Sequence, residues 1–188
     1  MKKAIIALAS LLVIIAAAVG ALFVWEHQSK LALEGQVEDY LDERSIDASA
    51  IDVHGRPYIL FAMRDSVDLT YVDLELQDGT NKDQLLVHRL SNGEPDRLTR
   101  FVTFDHPEGE VDPIERADGS FTESAMVDGT KVTYSADVKD HKLRLFADGH
   151  KTGEIAVEKG VSQNGAAVTD TGVVIGLDYD SPDFVAAN

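Results

Sequence analysis

Residues 4–25 run for 22 positions without one charged side chain, and this feature divides the chain into two chemically distinct parts. As a helix the run rises about 1.5 Å per residue and reaches about 33 Å, which matches the hydrocarbon core of a bilayer. Lys2 and Lys3 precede it and Glu26 follows it, so the excess of positive charge on the cytoplasmic side predicts that residues 26–188 lie outside. A cleaved secretory signal has an apolar region of about 7–15 residues that ends at a small-x-small site. Here Leu22, Phe23, Val24 and Trp25 continue the run, which favours a retained anchor with Trp25 at an interfacial level.

The remainder must fold without crosslinks, because the chain has no cysteine. That also removes thiol catalysis, cysteine-based metal sites and a lipid-modified cysteine. Of 188 residues, 163 follow position 25, enough for one domain with its own core. The whole chain carries a net charge of −16, and without Lys2 and Lys3 it holds 15 basic against 33 acidic side chains, or −18. Such a surface repels nucleic acid and anionic headgroups. Contact with lipid must therefore come from apolar surface.

The pattern after the membrane run is helical over residues 26–44. Leu33, Val37, Tyr40 and Leu41 fall on one face, and Glu34, Glu38, Asp39 and Asp42 on the other. From residue 46 the period shortens to two. Asp78-Gly79, Asn92-Gly93, Asp118-Gly119, Asp128-Gly129, Asp148-Gly149 and Asn164-Gly165 are pairs suited to the positive-φ positions of tight hairpins. Strands are predicted over 67–76, 84–90, 100–104, 120–126, 131–138, 142–147, 154–158 and 172–179. A loop is predicted over 105–116, where two prolines and five acidic residues leave little apolar content. The organisation expected is α+β: a transmembrane anchor over 1–25, a single extracytoplasmic domain over 26–180 with a long helix packed on a curved antiparallel β-sheet meander, and a flexible tail over 181–188.

Few residues nominate chemistry. His27, His54, His88, His106, His141 and His150 fall in no metal-ligand spacing. Ser162 sits in Gly-Val-Ser-Gln-Asn-Gly, whose second glycine comes one place too late for a nucleophile elbow and is followed by strand pattern where a helix is required. Asp105, Glu108, Glu110 and Asp112 supply oxygen ligands without the spacing of a helix-flanked calcium loop. The reading is therefore no catalytic residue, no metal and no cofactor. One segment is unusual. A short strand stops at Gly55 and Pro57, and then Tyr58, Ile59, Leu60, Phe61 and Met63 place five large apolar residues within six positions. That composition suits either a buried helical turn or an apolar lip on a cavity.

The N-terminal membrane segment, the helix leading from it, Val53-His54-Gly55-Arg56-Pro57-Tyr58-Ile59-Leu60 and the strand opening at Val67-Asp68-Leu69 together resemble the LmeA-type phospholipid-binding proteins of bacterial cell envelopes. The likeness covers residues 30–76 best. It implies a strongly curved antiparallel sheet wrapped around a long helix, similar to tubular lipid-binding domains, with acyl chains held in the apolar interior. It further implies a role in maintaining envelope lipid or lipoglycan, with no catalytic motif and no cofactor. On that resemblance Tyr58, Ile59, Leu60, Phe61 and Met63, with Leu33, Val37 and Leu41 of the helix, would line the lipid site. Arg56 and Arg64 would meet a phosphate headgroup. The expected protein is single-pass in the bacterial cell membrane, binds phospholipid or a related envelope lipid, and is not an enzyme. The alternative is a membrane-tethered β-sandwich that binds protein or cell-wall polymer.

Overall fold

A computed structural model describes residues 2–64 and 66–181, with side chains from Ser10 onward; Asp65 and the expected tail beyond Ser181 lie outside the described residues. The apolar run and the amphipathic stretch are one helix, α1 (Lys2–Asp42). At about 1.5 Å per residue it is about 60 Å long. Gly35 does not interrupt it, and a Cβ there would meet nothing within 4 Å. The helix ends in a Schellman turn. Ser45 takes a left-handed φ of 56°, the Ile46 N–H donates to the Leu41 carbonyl at 3.1 Å and the Ser45 N–H to that of Asp42 at 3.0 Å. Leu41 and Ile46 join the same buried cluster, the apolar contact that accompanies such turns.

Beyond the turn come β1 (Ala48–His54) and the short helix α2 (Tyr58–Ala62), then β2 (Ser66–Leu74), β3 (Thr80–Ser91) and β4 (Glu94–Phe104). These are followed by β5 (Val111–Glu115), β6 (Phe121–Val127), β7 (Thr130–Lys139), β8 (Lys142–Ala147), β9 (His150–Ala156), β10 (Val161–Thr169) and β11 (Gly172–Tyr179). All pairings are antiparallel, and the strands divide into a six-stranded sheet, β1-β2-β3-β4-β11-β10, and a five-stranded sheet, β5-β6-β7-β8-β9. The α+β class with a long N-terminal helix and antiparallel strands holds. The single meander becomes two, because the chain leaves the first sheet after β4 and returns to pair β11 on β4, with Val173 opposite Phe104.

Five of the six turn pairs place a glycine at positive φ between adjacent strands or at a strand end. The sixth, Asn164-Gly165, lies inside β10 at an irregularity in its pairing with β11. There the Asn164 side-chain amide donates to Asp178 at 2.8 Å. The expected loop over 105–116 contains β5, an edge strand; an edge tolerates Pro113 because no ladder bond is lost on its open side.

Two cores lie on the six-stranded sheet. In the first, Leu33, Val37, Tyr40 and Leu41 of α1 pack on β1, β2, β3 and the start of β4. In the second, Val102, Phe104, Val173, Ile175 and Leu177 of the large sheet meet Ala125, Tyr134, Leu143, Leu145 and Ile155 of the small one. At the seam, Arg100 donates bidentately to Asp83 at 2.6 and 2.8 Å and also to Glu158 at 2.8 and 3.0 Å. The Tyr179 hydroxyl donates to Glu158 at 3.0 Å. Burial alone would lower the pKa of Arg100, but the bonded Asp83 carboxylate and the charge of Glu158 outweigh it and hold the guanidinium charged. Burial, and then the charge of Glu158, raise the pKa of Tyr179, so it stays a donor.

Candidate functional site

The segment over 55–64 stands at the foot of the domain, beside the exit of the apolar run. Gly55 has φ 117°, and a Cβ there would come within 3.2 Å of the Phe61 ring. Glycine is needed both for the turn and for that approach. Pro57 then starts α2, whose first N–H groups have no partner within so short a helix. Glu26, the first acidic residue after the apolar run, supplies one: its carboxylate accepts from the Tyr58 N–H at 2.9 Å and from the Ile59 N–H at 3.1 Å. This clamp ties α2 to α1 across 32 residues of sequence. A second tie comes from the Tyr58 hydroxyl, which donates to the Val53 carbonyl at 3.2 Å.

The clamp leaves a hollow of about 320 Å³ between the two helices, lined by Val19, Leu22, Phe23, Glu26, Pro57 and Ile59. Val19 lies seven residues before Glu26, so the hollow extends about 10 Å along α1 at about 1.5 Å per residue. Phe23 in its wall is 72% exposed, and on the same two segments Trp25 is 52%, Leu60 49% and Met63 72% exposed. Neighbouring exposed apolar side chains of this size are uncommon on a domain surrounded by water. Arg56 and Arg64 are both exposed beside α2, and the Arg56 guanidinium lies 5.7 Å over the Tyr58 ring.

The residues expected to line a lipid site therefore separate into two groups. Leu33, Val37 and Leu41 are 1%, 0% and 1% exposed, and a side chain facing a channel wide enough for an acyl chain would register as accessible. They are filled core, as are Tyr58 and most of Phe61. An interior lipid channel along these residues is thus corrected to a packed contact between α1 and the sheet. Ile59, Leu60 and Met63 remain accessible at the foot.

Sequence reasoning missed Glu26 as the residue that positions α2. The local pattern carries no signal for it, because a charged residue is the ordinary boundary of an apolar run and the partner lies 32 residues away. Elsewhere, Asp105, Glu108, Glu110 and Asp112 do not converge: among the described residues no group of three or more histidine, aspartate or glutamate side chains is placed to hold a metal. Ser162 lies in β10. His54 packs edge-on against Tyr71 with ring centroids 4.9 Å apart and lies 3.0 Å from the Asp52 carboxylate.

α1 is long and apolar enough to cross a membrane. Comparison of the chain with protein-family models, with curated proteins and with solved structures returned no match.

Proposed function

We propose that this protein is a single-pass, membrane-anchored, extracytoplasmic lipid-binding module, and that it holds phospholipid or a related envelope lipid at its foot. The observation that carries the reading is the hollow between Val19, Leu22 and Phe23 of the anchor and Pro57 and Ile59 of α2. With residues 4–25 across a bilayer, α2 sits at the outer end of the span, held to Glu26 by its first N–H groups, and the hollow beside it reaches about 10 Å below Glu26. That is the depth at which apolar faces of interfacial helices rest among headgroups and upper acyl carbons. An acyl chain in the hollow shields its walls from water at about 25 cal/mol per Å². Arg56 and Arg64, at headgroup level, offer charge to a phosphate.

The resemblance to envelope phospholipid-binding proteins supports lipid as the ligand class and envelope lipid or lipoglycan maintenance as the setting. No catalytic step is invoked. Mechanistically, the anchor holds the foot at the bilayer permanently, so a weak intrinsic affinity suffices because the effective lipid concentration is high. The packed interior favours a second reading, a membrane-tethered module of two packed sheets that binds protein or cell-wall polymer.

Native mass spectrometry of the full chain released from membranes in mild detergent separates the two. The lipid reading expects retained lipid on the wild type and its loss in Ile59→Glu and Leu60→Glu, with unfolding temperature preserved. Absence of lipid on the wild type, or equal retention in both variants, would leave only the tethered module.

A further inference from the structure

A second hollow, at the opposite core, is independent of the lipid reading. It measures about 270 Å³ and opens where the chain passes from the large sheet to the small one. Phe104, Tyr134 and Leu145 give it apolar and aromatic walls, and Asp78, Asp105 and His106 give it polar ones. Gly153 completes a side of it. A Cβ there would lie 2.9 Å from the Phe104 ring, so any larger residue would push that ring. The Asp105 N–H donates to the Gly79 carbonyl at 3.1 Å, which pins the 105–107 loop to the turn that carries Asp78.

Four side chains that line the hollow carry a polar group without a partner among the described residues. The His106 Nδ1 is buried and has no hydrogen-bond partner. Tyr134 is 3% exposed, and among the described residues its hydroxyl makes no hydrogen bond. Asp78 and Asp105, exposed at the mouth of the hollow, form no ion pair with any described residue. Acceptors and aromatic faces gathered in a partly enclosed space, on a chain of net charge −16, favour a cation that carries N–H donors and a short apolar stem.

We infer that this inter-sheet hollow binds a small organic cation, an alkylguanidinium or alkylammonium solute, with its charged head toward Asp78, Asp105 and His106 and its stem against Phe104 and Tyr134. One N–H of the cation donates to the His106 Nδ1, the carboxylates accept the others, and the aromatic faces stabilise the charge. The hollow lies apart from the foot and shares no lining residue with it.

The test is isothermal titration of the full chain in nanodiscs with n-butylguanidinium, and in parallel with n-butylurea, which has nearly the same shape without the charge. Saturable binding at one site is expected for the cation, at least about tenfold weaker binding for the urea, and at least about tenfold loss of cation affinity in Asp105→Asn and in His106→Ala. Absence of saturable binding by butylguanidinium would overturn the inference. So would equal affinity for the urea, a comparison that needs no variant, or unchanged affinity in both variants. Lipid retention at the foot is unaffected by any of these results, so the two proposals fail separately.

Discussion

Replacing Arg100 by methionine removes the cation that joins the two cores while keeping a side chain of similar length. The Asp83 side chain is 0% exposed and that of Glu158 is 14% exposed, so one carboxylate would be left fully buried without its bidentate partner and a second largely so. Breaking a buried pair by removing one member costs about 3–5 kcal/mol, most of it the desolvation of the charge left behind. For a domain of this size each kcal/mol moves the midpoint by about 2–4 °C, so the expected fall is roughly 6–20 °C. The assay is thermal unfolding of the full chain in detergent, followed by circular dichroism in the strand region. Replacing Asp83 as well, Arg100→Met with Asp83→Leu, should recover at least half of the loss, because the fully buried charge is then gone and only Glu158, partly exposed and still bonded by Tyr179, keeps its own. If Arg100→Met cost less than about 1 kcal/mol, or if the double variant lost the sum of the two single losses, the seam would not be held as described.

Three further outcomes follow from other parts of the structure. Ser45→Gly should stabilise the protein by about 0.5–1 kcal/mol in the same melt, because Ser45 holds φ 56° at the end of α1 and glycine takes that conformation without steric cost. Glu26→Ala should raise the exchange rate of the amide protons at residues 58–59 about tenfold or more, measured by hydrogen exchange, since it strips both their acceptors and a lost cap is worth about 1–2 kcal/mol. Glu154, bonded to Lys142 and Lys151, has its pKa pulled from 4.5 down to about 2. Its folded value lies below its unfolded one, so its contribution is present above about pH 4.5 and is lost as pH falls through about 2. Carbon-detected NMR titration should place its midpoint well below that of an ordinary glutamate, and Lys142→Met with Lys151→Met should return it toward 4.5.

The parts of the fold legible in the sequence were those written in local pattern. The stripe of Leu33, Val37, Tyr40 and Leu41 marked the buried face of α1, and β8 and β11 appear with the bounds that alternation and turn residues indicate. The division into two sheets was not legible, because it depends on β11 choosing β4 across about 70 residues, and period-two alternation does not name a partner. β10 escaped for a related reason. Its Asn164-Gly165 has the composition of a turn, and only the pairing with Gly176 keeps it in a strand.

The candidate site shows the same limit. Periodicity identifies an apolar face but not what covers it: the stripe alone favoured core for Leu33, Val37 and Leu41, the family resemblance made them a lipid wall, and the packing is core. The apolar cluster over 58–63 was visible, whereas its docking beside Val19, Leu22 and Phe23 rests on the long-range clamp from Glu26. The β7–β8 turn was legible only as a break between the strand patterns over 131–138 and 142–147, because Asp140 and His141 take positive φ without a glycine, a conformation those two residue types tolerate better than most.

Lipid contact at the foot is tested most directly by placing a photoreactive benzophenone amino acid at position 59, irradiating the full chain in its own membranes, and weighing the products. A lipid-mass adduct at position 59 is the outcome required by a hollow open to acyl chains, alongside the same adduct at position 15 within the apolar run as a positive control. Labelling at position 15 with none at position 59 would contradict the account, because α2 would then stand clear of the lipid it is proposed to hold.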